Sequence, residues 1–100
     1  MITADFGIVP IGNKENNISK YVTIAVNSIK NSGLNYELTG MGTQIEAENL
    51  DELYQAIKDA QEAVFNLGID RVYTVIKIDD RRDKKRLLKD KIKTVNDLLD

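Results

Sequence analysis

Leu34-Asn35-Tyr36-Glu37-Leu38-Thr39-Gly40-Met41-Gly42-Thr43-Gln44-Ile45-Glu46-Ala47-Glu48 decides how the rest of this chain folds. Leu34, Tyr36 and Leu38 alternate with Asn35 and Glu37, and a second alternation runs from Thr43 to Glu48. A period of two marks extended chain with one face turned to a core and one away from it. Thr39-Gly40-Met41-Gly42 between the two runs predicts a tight turn, so the stretch reads as an antiparallel hairpin.

On the C-terminal side, Leu53, Ile57, Ala60, Val64 and Leu67 repeat at 4-3-4-3 spacing. Asn49 with Glu52 forms a capping box ahead of them, and Gly68 supplies a left-handed stop, which predicts a helix. Arg71 to Ile78 returns to β-branched and aromatic residues and predicts a strand, ended by the charged run Asp79 to Asp83. On the N-terminal side, Thr3 to Val9 reads as a strand that closes at Pro10, followed by a loop from Gly12 to Asn17. From Ile18 the residues Val22, Ala25, Val26 and Ile29 keep helical spacing, with Asn17 or Ser19 as N-cap and Gly33 as the stop.

The order is β-α-β-β-α-β: two halves joined through a hairpin, whose right-handed crossovers put both helices on one face of a four-stranded sheet. The predicted class is therefore α+β, a ferredoxin-like sandwich with an antiparallel sheet, and the chain, 1–100, is expected to be one domain. Leu88, Ile92, Val95 and Leu99 add a C-terminal helix whose narrow apolar stripe must dock on something. Alternation sends Ala4, Phe6, Ile8, Ile45, Ala47, Val72, Thr74, Ile76 and Ile78 toward the helices. It leaves Asp5, Gln44, Glu46, Tyr73 and Lys77 on the open face, where Lys77 can pair with Asp5 or Glu46.

Composition removes most chemistry. The 100 residues contain no cysteine and no histidine, which excludes disulfides, thiolate nucleophiles, the usual zinc ligand sets and imidazole acid–base catalysis. Neither Gly7 nor Gly40-Met41-Gly42 opens a helix in a dinucleotide-binding pattern. No nucleophile, metal set or phosphate-binding loop accompanies the carboxylates near Lys77, so no enzyme activity, cofactor or metal is expected. Met1 to Ile11 lacks the features of a signal peptide and no apolar run approaches the ~20 residues of a membrane span, so a cytoplasmic protein without membrane contact is expected. Net charge is −2. The basic residues from Arg81 to Lys93 are interleaved with or flanked by Asp79, Asp80, Asp83 and Asp90 and lack aromatics, which predicts a solvated helix face and no nucleic-acid partner. A chain of this size buries only roughly 60 to 70% of its unfolded surface, so self-association is a natural way to bury more. The residues alone lead to a binding module or an interaction domain.

Ser32-Gly33-Leu34-Asn35-Tyr36-Glu37-Leu38-Thr39-Gly40-Met41-Gly42-Thr43-Gln44-Ile45-Glu46 resembles the signature of the thiamine-binding protein family. Pro10-Ile11-Gly12, Ser19-Lys20-Tyr21-Val22 and Ile76-Lys77-Ile78-Asp79-Asp80-Arg81-Arg82-Asp83 resemble its first strand end, first helix start and last strand. The resemblance implies a ferredoxin-like fold, dimers or tetramers, and binding of thiamine or its hydroxymethylpyrimidine portion without a reaction. A cationic thiazolium asks for a carboxylate or aromatic face, and an aminopyrimidine for donors and acceptors. On this resemblance Glu46, Thr43 and Gln44 supply those groups, while Ser19 and Tyr21 close the pocket from the first helix. Each has a structural alternative: Thr43 bracing the hairpin, Ser19 capping the helix, Tyr21 and Tyr36 packing in a core or interface. Ala47 stands where the family pattern has glycine. The competing function is a structural protein that assembles through its open sheet face and C-terminal helix.

Overall fold

The computed structural model describes residues 1–12 and 18–99. The elements are β1 (Ile2–Ile11), α1 (Ser19–Asn31), β2 (Asn35–Thr39), β3 (Gly42–Ala47), α2 (Leu50–Phe65), β4 (Arg71–Asp80) and α3 (Leu88–Leu98). The strands form one antiparallel sheet in the order β2-β3-β1-β4. This is the α+β ferredoxin-like arrangement, with a third helix following β4.

The helix ends follow from local chemistry. Asn49 caps α2, its side-chain oxygen accepting the Glu52 N–H at 2.9 Å, while the Glu52 carboxylate turns back to the Glu48 N–H at 3.2 Å. Gly33 and Gly68, at φ +82° and +90°, take the left-handed conformation that follows α1 and α2. At the start of α1 the expectation fails for Ser19. Ile18 occupies the cap position without a side-chain bond, and Ser19 lies inside the first turn, its carbonyl accepting the Thr23 hydroxyl at 2.7 Å. Asn17, the other expected cap, lies outside the described residues.

The alternation of burial holds in β3, from Ala4 to Pro10 of β1, and in β4 as far as Ile76. Ile78, expected to face the helices, is 37% exposed. β2, an edge strand, is exposed from Asn35 to Leu38 because no second strand and little of the helix layer covers it. Ile2, Ala4, Phe6 and Ile8 of β1 and Ile45 and Ala47 of β3 meet Tyr21, Ala25 and Ile29 of α1 and Leu53, Ala56, Ala60 and Val64 of α2 in one core. Burying a residue such as Leu53 fully contributes about 1.5–3 kcal/mol, and the alanines keep the layers close. The Thr74 hydroxyl ties β4 to α2 through Gln61 at 2.6 Å.

One mismatch of length positions everything that follows. β1 pairs with β4 along all its residues, from Ile2↔Asp80 to Ile11↔Arg71. With β3 it pairs only from Ile2↔Ala47 to Phe6↔Thr43, because β3 begins at Gly42, where the hairpin turns. From Gly7 onward β1 therefore has no strand beside its β3 edge among the described residues. Pro10, which has no N–H to give, is tolerated inside this strand for that reason.

Candidate functional site

Strand pleating divides the residues expected to form one site. Thr43 shares the parity of Ile45 and Ala47 and is 4% exposed on the helix side of the sheet. Gln44 and Glu46 are half-buried on the opposite face. Tyr21 is a core residue of α1, and Ser19 is exposed in its first turn. Thr43 and Tyr21 thus share the helix layer, Gln44 and Glu46 share the open face, and one small ligand cannot bridge the sheet to touch all of them.

On the open face, Thr3, Asp5, Gln44, Lys77, Asp79, Leu88 and Lys91 line a shallow groove of about 300 Å³. Lys77 pairs with Asp5 at 3.7 Å and Lys91 with Asp79. The Lys77 side chain is 79% exposed, so its pair contributes little. Glu46 is half-buried and paired, as a carboxylate inside a strand requires. Its partner is the first N–H of α3, since the Leu88 amide donates to Glu46 Oε2 at 2.9 Å. Asp90 accepts from the Leu87 N–H at 2.8 Å, so two carboxylates satisfy the positive end of this helix. This is where the C-terminal stripe docks, and only its beginning does so. Ile92, Val95 and Leu98 stay 50%, 57% and 80% exposed.

Glu46→Ala is accordingly expected to loosen α3 by about 0.5–2 kcal/mol. The Leu88 amide should then exchange faster with solvent while core amides such as Ile45 keep their rates. Unchanged exchange at Leu88 would contradict the capping role.

Between β4 and α3, Arg81 binds Asp83 and Arg82 binds Asp80, each pair at 2.8 Å. Hydrogen bonds from these guanidinium groups hold both carboxyls below the usual aspartate range. Neither carboxylate lines the open-face groove, the helix-side cavity or the hollow beside α2, and the two pairs span the turn between β4 and α3.

The helix side holds a more enclosed space. A cavity of about 220 Å³ lies between α1 and the hairpin, over the part of β1 that β3 does not reach. Phe6 to Val9 form its floor, Ile18, Val22, Ala25 and Val26 its α1 wall, and Leu38 to Thr43 its hairpin wall. No ionisable side chain lines it among the described residues. Bracing of the hairpin falls to Thr39, whose hydroxyl donates to the Gly42 carbonyl at 2.9 Å. Thr43 is thereby spared, and its hydroxyl makes no hydrogen bond among the described residues. Ala47, the departure from the family pattern, faces the core at 2% exposure and touches neither space. A third hollow, bounded by Asp51, Glu52 and Asp59 of α2 with Ser32 and Leu34, contains none of the expected residues.

That Phe6, Ile8, Val22 and Leu38 line this cavity is not legible in the sequence, because apolar side chains read as core. The parity shared by Thr43 and Ile45 was the available signal. Among the described residues no helix is long and apolar enough to cross a membrane, and no group of three or more acidic, His or Cys side chains is placed to hold a metal.

A family model described as thiamine-binding protein matches residues 4–96. A UPF0045 protein of Methanothermobacter thermautotrophicus is 50% identical over 97 residues, covering 97% of this chain and 98% of the relative. The solved structure of protein MJ1052 from Methanocaldococcus jannaschii superposes with a TM-score of 0.85 at 38% identity, over 95% of each chain. Protein TM0486 of Thermotoga maritima superposes with a TM-score of 0.79 over 94% of this chain and 97% of its own, a likeness of fold at 18% identity.

Proposed function

Since this chain belongs to the thiamine-binding protein family, we propose that it is a non-catalytic, oligomeric binder of thiamine or of its hydroxymethylpyrimidine portion. The observation that carries this is the wall of the helix-side cavity. Leu38 to Thr43, the middle of the segment whose residues resemble the family signature, line it. An apolar cavity of about 150 Å³ holds a benzene ring, so a space of about 220 Å³ suits a substituted pyrimidine. A permanent cation is costly in a lining without charges, so the thiazolium of thiamine stays at the mouth. Thr43 supplies a hydrogen-bonding hydroxyl inside. In this reading Gln44 and Glu46 act on the other face, where Glu46 holds α3.

Calorimetric titration with thiamine and, separately, with hydroxymethylpyrimidine tests the proposal. Saturable binding of micromolar strength is expected for both. Absence of heat and of thermal stabilisation with either compound would overturn it. Thr43→Val should weaken both ligands by about 0.5–1.5 kcal/mol, the net value of one hydrogen bond, and leave the unliganded fold at least as stable. An unchanged affinity would remove Thr43 from the site.

A second reading is favoured by the exposed apolar residues Tyr73 and Val75 on the open face and Ile92, Val95 and Leu98 on α3. In it, assembly through these surfaces is the function and any ligand is incidental. A stable oligomer that takes up neither compound is the result that would favour it.

A further inference from the structure

The helix-side cavity has a polar wall made of main chain. A side chain built on Gly42 would lie 3.0 Å from the Phe6 carbonyl oxygen, so that carbonyl points from β1 toward β3. In an antiparallel strand the N–H and C=O of every second residue point to the same edge. Ile8, two residues on, therefore presents both of its main-chain groups to the β3 edge, beyond the last pair, Phe6↔Thr43. No strand lies there among the described residues; the cavity does, and Ile8 lines it. Pro10, next on the same edge, has no N–H. Ile8 is thus the one residue of β1 past Phe6 that offers a complete donor and acceptor on this edge, and it is 7% exposed. Main-chain groups of a residue so largely covered need a partner.

We propose that the Ile8 N–H and C=O read the ligand by pairing with a ring nitrogen and the exocyclic amino group beside it. This rests on the binding reading above and narrows it. The ligand class is an uncharged, flat heterocycle with adjacent acceptor and donor, held between apolar walls and identified by β1 itself as an added strand would be. Side chains then set the size of the ring, while the main chain sets its hydrogen-bonding pattern.

Two measurements on the full chain test this. The first compares hydroxymethylpyrimidine with its analogue lacking the exocyclic amino group by calorimetry. The second follows backbone amide resonances during titration with hydroxymethylpyrimidine. The analogue is expected to bind about 10- to 100-fold more weakly, because the Ile8 carbonyl is left buried without a donor. The Ile8 amide is expected to be among the most strongly shifted. If hydroxymethylpyrimidine binds but the analogue matches it within about threefold, or the shifts fall on Gln44, Glu46 and Lys77 and spare Ile8, main-chain recognition is overturned and the binding reading stands. If hydroxymethylpyrimidine does not bind, both fall together.

Discussion

Val22→Phe is expected to abolish measurable binding of hydroxymethylpyrimidine, with a loss of at least about 30-fold, while the protein remains folded. Val22 stands on the α1 wall of the helix-side cavity and is itself half-buried. A phenyl ring there enters the space that a pyrimidine needs. The ligand must then expel a side chain before it can bind, and each 1.4 kcal/mol of that cost is a tenfold loss. The fold tolerates the change because the added volume enters an existing void, so the cost belongs at or below the roughly 1–3 kcal/mol usual for overpacking. The same substitution touches nothing on the open face. Retained affinity in a folded Val22→Phe protein would therefore move the site to the groove beside Glu46, which no substitution in α1 reaches.

Leu53→Ala is expected to produce the largest loss of stability, about 2–5 kcal/mol. Leu53 is 0% exposed and seats α2 against the sheet and α1 in the core shared with Ile29, Ile45 and Val64. Removing its isobutyl group loses the transfer free energy and leaves a void that close-packed neighbours fill only in part. In a domain of about this length each 1 kcal/mol lowers Tm by roughly 4–8 °C, so thermal melting should register a drop of about 8 °C or more. Tyr54, the next residue, is 52% exposed and serves as the control, since Tyr54→Ala should change little. A loss below about 1 kcal/mol at Leu53 would mean that α2 is not packed as described.

These two effects differ in how far the sequence foretells them. Leu53 follows from the 4-3-4-3 spacing behind Asn49 and Glu52, because a helix with that stripe has only one face to bury. Gly33 and Gly68 end their helices where glycine is needed, and strand parity assigns the open-face residues Asp5, Gln44, Glu46, Tyr73 and Lys77 correctly. Val22 as a cavity-lining residue has no such signal. Its apolar side chain at helical spacing is the same whether a cavity or a close-packed core lies beneath it. Thr43 and Glu46 differ in the opposite sense, since closeness in sequence suggests one site and the pleat puts them on two faces.

Local periodicity and end signals alone determine the order of elements, the helix stops at Gly33 and Gly68, and the face each strand residue takes, because these depend on bonds and sterics within a few residues. Three things are decided only by the packed chain. Glu46 caps a helix whose first amide, at Leu88, is 42 residues away. The apolar stripe of α3 docks at one end and leaves Ile92, Val95 and Leu98 uncovered. The pairing of β1 with β3 ends at Phe6, near the start of β3, while β1 continues to Ile11, which opens the cavity and bares the β3 edge of Ile8. Each depends on where distant segments of unequal length come to rest against one another, and strand length and register across a sheet are set by that packing.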